Sequence, residues 1–295
     1  MSGTANDQAP IIRKSLMSKE LKLRIISAVI LAVLVLAITW IGGQTFTLLW
    51  AIVAFMILKE FNRMCSKSIS LASNVVSFIT LFLIVASWLI GDRQIAIIMF
   101  CIGFVVLAFW QMFVSRSIWS ALGLAYAALP FFAMSDLRSD NHNGLIVILL
   151  LYFCVWGADV FAYFAGRAIG GPKLAPSISP NKTWAGFIGS LIGALLLSYL
   201  VNLAAGFDAI LVFFVIMLLA AVVSQLGDLM ESSIKRKFDV KDSGTIIPGH
   251  GGVLDRVDGL VVAAVFIWLV TLYLSMQSGQ SNDLPTVFAN AFLKP

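Results

Sequence analysis

The stretch Ile25–Leu58 reads IISAVILAVLVLAITWIGGQTFTLLWAIVAFMIL, 34 residues without one charged side chain. As a single α-helix it would be about 50 Å long at ~1.5 Å per residue, against a hydrocarbon layer of roughly 30 Å. That is too long for one crossing of a bilayer. The run therefore holds two helices, and Gly42-Gly43-Gln44 is the natural turn between them.

The rest of the chain repeats the pattern. Of its 295 residues, 60% are hydrophobic and 12% charged, where a soluble domain has about 25% charged residues. Apolar runs near the ~20 residues needed for a helical crossing lie at about 25–41, 45–59, 73–91, 94–114, 117–134, 144–166, 184–206, 209–230 and 257–276. The fold class expected is all-α: a polytopic integral membrane protein with about nine transmembrane helices. The alternating short strands of an outer-membrane barrel are missing. The fifth run holds Gly123 and Pro130 and is the least regular. The first is longer than a secretory signal core and has no small-residue cleavage site, so it reads as an uncleaved helix. Cys65, Cys101 and Cys154 are scattered, without metal-ligand spacing, and read as buried free thiols.

Charge sets the expected orientation. With the N-terminus cytosolic, 17 of the 20 basic residues fall on the cytosolic side, and only Arg93, Arg138 and Lys294 on the other. That bias is the positive-inside pattern, and it puts the C-terminus on the opposite side. The expected organisation is a basic cytosolic tail (1–24), one transmembrane catalytic domain (25–276) and a C-terminal tail (277–295). The tail carries a mildly apolar stretch, Val287–Leu293, that reads as a short interfacial helix. A net charge of +5 spread this way does not argue for nucleic acid.

Two polar segments interrupt the apolar chain on the cytosolic side. They lie within the expected active-site regions 156–186 and 224–259. The denser one, Ser232–Gly259, is SSIKRKFDVKDSGTIIPGHGGVLDRVDG. If the eighth helix continues past the interface, Asp228, Glu231, Ser232 and Lys235 share one of its faces. Asp255 and Asp258 lie one turn apart at the start of the ninth, where they also read as helix caps. Carboxylates near a bilayer are costly unless paired or metal-bound. Arriving from two helices, they suit Mg²⁺, which binds through one or two carboxylates plus substrate phosphates. Lys235, Arg236, Lys241 and Arg256 would hold further phosphate charge, and Gly251 and Gly252 would let backbone approach a phosphate. His250 is a metal ligand, a phosphate donor or a loop residue, although imidazole suits Mg²⁺ less well than carboxylate does. The second segment, SPNKTWAG (Ser179–Gly186), offers Lys182 and Thr183 as phosphate ligands or as a helix cap. Asp159, inside the sixth run, is a functional acid or the structural partner of Arg167.

The segment from Ser232 to Asp258 resembles the signature of phosphatidate cytidylyltransferases, also called CDP-diacylglycerol synthases. Ser232, Ile234, Lys235, Arg236, Lys241, Asp242, Gly244, Ile247, Pro248, His250, Gly251, Gly252, Asp255, Arg256 and Asp258 stand where that pattern asks for them. SPNKTWAG is similar to the family's Ser-Pro-Lys-Lys-Thr-Trp-Glu-Gly, from which Asn181 and Ala185 depart. The resemblance implies a multi-spanning, Mg²⁺-dependent enzyme that makes CDP-diacylglycerol and pyrophosphate from CTP and phosphatidate. It also implies a metal held by Asp228 and Asp255, with Lys235, Arg256 and Asp258 catalytic. Ser232, Arg236, Lys241, His250, Gly251, Gly252, Lys182, Thr183 and Asp159 complete the substrate site. The expected home is a bacterial inner membrane, with membrane lipid as surroundings, the site facing the cytosol and room for a homodimer. A transporter for an anionic substrate and a CTP-dependent lipid kinase are the alternatives. A transporter would show a repeat and midplane charges, and only Asp159 qualifies.

Overall fold

The computed structural model describes residues 26–114, 116–139, 142–246, 251–278 and 283–294. Its helices are α1 (Ile26–Ile41), α2 (Gly43–Met64), α3 (Leu71–Leu89), α4 (Arg93–Val114), α5 (Trp119–Leu137), α6 (Asn143–Ala168), α7 (Trp184–Ala204), α8 (Leu211–Lys237), α9 (Leu254–Ser278) and α10 (Leu284–Phe292). Among the described residues, eight of these, α2 to α9, are long and apolar enough to cross a membrane. The chain is an integral, multi-pass, all-α membrane protein. The first expected span is represented by α1, a shorter apolar helix; residues 1–25 lie outside the described ones.

Gly42, with a left-handed φ of 69°, separates α1 from α2 at the expected turn. A Cβ there would collide with the Arg138 guanidinium. Short connections make successive helices alternate in direction, so the bundle has two ends. At one lie the C-termini of α2, α6 and α8 and the N-termini of α7 and α9. This is the signature end. The hairpin of β1 (Lys173–Ala175) and β2 (Ser179–Thr183) also lies there. At the far end β3 (Asp208–Ala209) pairs with β4 (Leu293–Lys294). The Val287–Leu293 stretch forms most of α10, whose Leu284, Val287, Phe288 and Phe292 are buried against the bundle.

The irregular fifth run forms the most enclosed helix: 78% of the apolar window of α5 is buried, against 17% for α4. Gly123 explains part of this, because a Cβ there would come within 2.8 Å of both Phe61 and Asn62 on α2. A helix surrounded by protein needs small residues more than it needs hydropathy. The same device joins α6 to α7, where a Cβ on Gly157 would come within 2.5 Å of the Gly193 carbonyl oxygen. The three cysteines are free; Cys65 and Cys154 are buried as expected, but Cys101 is exposed on α4. Burial pushes the Cys65 thiol up to about 12.

Candidate active site

The eighth helix does continue past its apolar run, as one α-helix to Lys237. Its i, i+4 pairs form as the spacing requires. Ser232 Oγ donates to Asp228 Oδ1 at 3.3 Å, and Lys235 Nζ to Glu231 Oε2 at 3.0 Å. Glycines then bring α8 against α9. A Cβ on Gly227 would lie 2.8 Å from the Asp258 carbonyl oxygen, and one on Gly259 would lie 2.5 Å from Ser224 Oγ. Across this narrow seam Lys235 Nζ also reaches Asp255 Oδ1, at 2.9 Å.

Asp255 has further donors. Its Oδ2 accepts the backbone N–H of Gly252 at 2.9 Å and of Ser243 at 3.0 Å. It therefore folds the signature loop back on the first turn of α9, as a reverse cap does. Asp258 Oδ1 accepts the N–H of Gly259 at 2.8 Å. Its carboxyl lies beside Glu231 and near Asp228. Glu231 is 1% exposed, and its Oε1 has no hydrogen-bond donor. A buried carboxylate oxygen in that position calls for a proton or a cation.

The β-hairpin closes the other side. Lys182 Nζ pairs with Asp228 Oδ2 at 2.6 Å, and Arg236 Nε donates to the Ile178 carbonyl at 3.3 Å. Thr183 is the N-cap of α7, its Oγ1 accepting the Gly186 N–H at 3.0 Å. Between the hairpin, α6, α7 and α8 lies a cavity of about 650 Å³, lined by Asp159, Arg167, Lys182, Thr183, Gln225 and Asp228 among others.

Fold and charge pattern thus converge on one cavity, lined by acidic and basic side chains, at one end of the bundle. A profile of the cytidylyltransferase family matches residues 22–274. The chain belongs to the cytidylyltransferase family. It is 41% identical over 257 residues to a phosphatidate cytidylyltransferase of Brucella abortus (strain 2308), covering 84% of this chain and 92% of that one. It is 35% identical over 226 residues to the phosphatidate cytidylyltransferase of Rickettsia prowazekii, 73% of this chain and 98% of the relative. For that of Staphylococcus saprophyticus the figures are 33% over 252 residues, 82% and 95%. The family match takes in α1 to most of α9, so it contains every element that builds the cleft.

In this cytidylyltransferase the expected residues fall into three groups. Asp228, Ser232, Lys235, Asp255, Asp258, Lys182 and Thr183 come together around the α8–α9 seam and the hairpin. Asp159 lines the same cavity and has Asp228, Asp258, Lys182 and Arg256 as charged neighbours. Arg167 instead donates to Tyr163 Oη at 2.7 Å, so the Asp159–Arg167 pair does not form. Lys241 and Arg256 are exposed at the rim, Gly251 takes a left-handed φ of 87°, and His250 lies outside the described residues.

Glu60, near the C-terminus of α2, went unread in the sequence. It is 2% exposed and accepts hydrogen bonds from Leu254 N at 2.7 Å, Val253 N at 3.0 Å and Ser243 Oγ at 3.2 Å. An acid adjoining the end of an apolar run was the available signal.

Among the described residues no three of His, Cys, Asp and Glu form a cluster able to hold a metal by themselves. Magnesium does not ask for one, since it keeps waters and shares substrate phosphates. The donors present are hard carboxylate oxygens, and those of Asp228 and Asp255 are held by Lys182, Ser232, Lys235 and the N–H groups of Ser243 and Gly252. The donor chemistry suits that ion.

Proposed function

We propose that the chain transfers CMP from CTP to phosphatidate, releasing pyrophosphate and leaving CDP-diacylglycerol in the membrane. The observation that carries this reading is the pair of lysine-bound carboxylates, Lys182 with Asp228 and Lys235 with Asp255, at one end of a membrane-spanning bundle. A nucleotide arrives there from water and a lipid phosphate from the bilayer interface. The names of relatives that cover most of the chain support it.

A phosphatidate oxygen attacks the α-phosphorus of CTP. The new P–O bond forms as the bond to the β-phosphate oxygen breaks, and its electron pair leaves on pyrophosphate. A phosphate monoester has a second pKa of about 6, so the nucleophile is ionised and needs no general base. The protein's task is to hold two anions together and meet the charge that gathers on the leaving group. Lys182, Lys235, Arg236, Lys241 and Arg256 supply fixed positive charge. Ser232, Thr183, His250, Gly251, Gly252 and Asp159 complete the proposed substrate site. Asp228 and Asp255 would hold Mg²⁺, with Asp258 orienting them. An ion held there would supply charge neutralisation for the reacting phosphates.

We place α1 as a ninth crossing, with the N-terminus and the site in the cytosol, the C-terminus outside, and the bacterial inner membrane as the location. The 17-to-3 basic split supports this orientation. Ser243 is buried, whereas Asp242 is exposed. Asp242→Cys, in a chain without Cys65, Cys101 and Cys154, should therefore resist an impermeant thiol reagent on intact cells; ready labelling overturns the orientation. For the reaction, purified chain is given phosphatidate, Mg²⁺ and CTP labelled on the α- or the γ-phosphate. Lipid-soluble label from α alone is expected. Label from γ alone means a lipid kinase and sinks the assignment.

A further inference from the structure

We propose that Glu60 is a positioning residue for the reaction: it holds the signature loop and the first turn of α9 in register with α8. The proposal rests on the functional reading above and adds a residue from the half of the chain outside the signature.

A helix leaves its first N–H groups without partners and needs a cap. Ser, Thr, Asp or Asn just before the first turn is the usual solution. The residues before α9 are Gly251, Gly252 and Val253, and none has a side chain that can cap. Glu60 does it instead. Its two oxygens take the N–H groups of Val253 and Leu254, the latter from 194 residues away in sequence. Its charge also meets the positive end of the α9 dipole. Among the described residues no lysine or arginine forms an ion pair with it. These donors are what hold the buried carboxylate.

Two glycines of the signature are shaped by this contact. A Cβ on Gly252 would come within 2.6 Å of Glu60 Oε2, and one on Gly244 would collide with Oε1. Ser243 links the contact to the site. Its Oγ donates to Glu60 at 3.2 Å while its N–H donates to Asp255 Oδ2 at 3.0 Å. Glu60 and Asp255 thus clamp the same loop from α2 and from α9. Asp255 and Arg256 are on the turn that Glu60 caps, and Asp258 follows that turn directly. Glu60 itself is not among the residues lining the cavity. It acts through Ser243 and the start of α9, which carries Asp255.

The role requires two acceptor oxygens. Glutamine keeps the size but has one oxygen, and its amide group turns a donor toward an N–H or hydroxyl donor. A displacement of about 1 Å at reacting groups costs on the order of 100-fold in rate. In full-length protein in detergent, Glu60→Gln should lower kcat about 100-fold. The KM values for CTP and phosphatidate should change less than kcat does, because Lys182, Thr183 and Asp228 in the cavity are untouched. Amide exchange at Gly252–Leu254 should quicken, while exchange in α4 and α6 stays unchanged. Glu60→Gln that keeps kcat within about threefold, or unchanged exchange at Gly252–Leu254, overturns the proposal. If Glu60→Gln does not fold, Ser243→Ala decides. It removes one hydroxyl bond to Glu60 and should lower kcat about fivefold at constant KM, a single hydrogen bond's worth; an unaltered kcat overturns the role. A wild-type chain that makes no lipid-soluble cytidine would refute the functional reading alone, since the exchange measurement still judges Glu60.

Discussion

The two ends of the bundle use the same kinds of residue to different effect. At the far end Arg93 Nη1 meets Asp136 Oδ1 at 2.8 Å, Trp268 Nε1 donates to the other oxygen at 2.9 Å, and the guanidinium lies 5.2 Å from the Trp88 ring centre. Phe131 and Phe132 pack around Trp88, and Phe132 on Trp268. Arg138, 3% exposed, donates to the carbonyls of Thr39 and Trp40 and seats under Gly42. Arg93 and Arg138 are thus staples between helices. At the signature end Asp159, Lys182 and Asp228 line a cavity. Buried charge by itself therefore does not mark a site. What distinguishes the signature end is charge that borders a cavity open to a ligand.

The largest way to break this contrast is at the carboxylates. Asp228→Asn and Asp255→Asn should each insert normally yet lose about a thousandfold in rate, the equivalent of ~4 kcal/mol of barrier. The double variant should be little worse than either single one, because both serve one centre. Rates measured against Mg²⁺ concentration test this; near-normal rates and Mg²⁺ response in both single variants would refute the metal assignment.

Lys182→Ala should have a smaller effect. It removes the cation paired with Asp228 and a proposed phosphate ligand. The apparent KM for CTP should rise about tenfold, the low end for a charged hydrogen bond, while that for phosphatidate stays within about twofold. If both substrates keep their wild-type kinetics, the segment's contribution is Thr183's cap on α7 alone.

The smallest effect on rate belongs to the far end. Asp136→Asn leaves the Trp268 bond possible but removes the anion under Arg93, which is about half exposed and can turn to water. Stability should fall by about 1–2 kcal/mol, as for a lost charged hydrogen bond, with kcat within about twofold of wild type. A thermal melt beside the rate assay reads both. A large loss of kcat without a stability change would erase the distinction between the two ends.

Much of the bundle was legible because hydropathy is a local property. The turn at Gly42, the helices at the expected runs and the shared face of Asp228, Glu231, Ser232 and Lys235 all follow from spacing along the chain. α5 was harder. Its Gly123 and Pro130 weaken the hydropathy signal, yet they sit in the most enclosed helix because neighbours, not lipid, surround it. The Asp159–Arg167 pairing failed for a related reason. Tyr163, one turn nearer, takes the guanidinium, and the Asp159 carboxyl faces the seam instead. Glu60 was missed because it adjoins an apolar run, where an acid reads as an interfacial residue in contact with water.

From the sequence alone came the class of protein, the two polar segments that share one side of the membrane, and the set of groups suited to phosphates. Periodicity, composition and charge bias act over a few turns of helix, so one chain suffices to read them. Only the tertiary structure decided which charges meet. It set Lys235 between Glu231 and Asp255, Lys182 on Asp228, and Glu60 at the start of α9. Those choices depend on how closely glycines let α8 approach α9, and on contacts between residues up to 194 positions apart. A charge finds its partner through space, and no local pattern in the chain carries that distance.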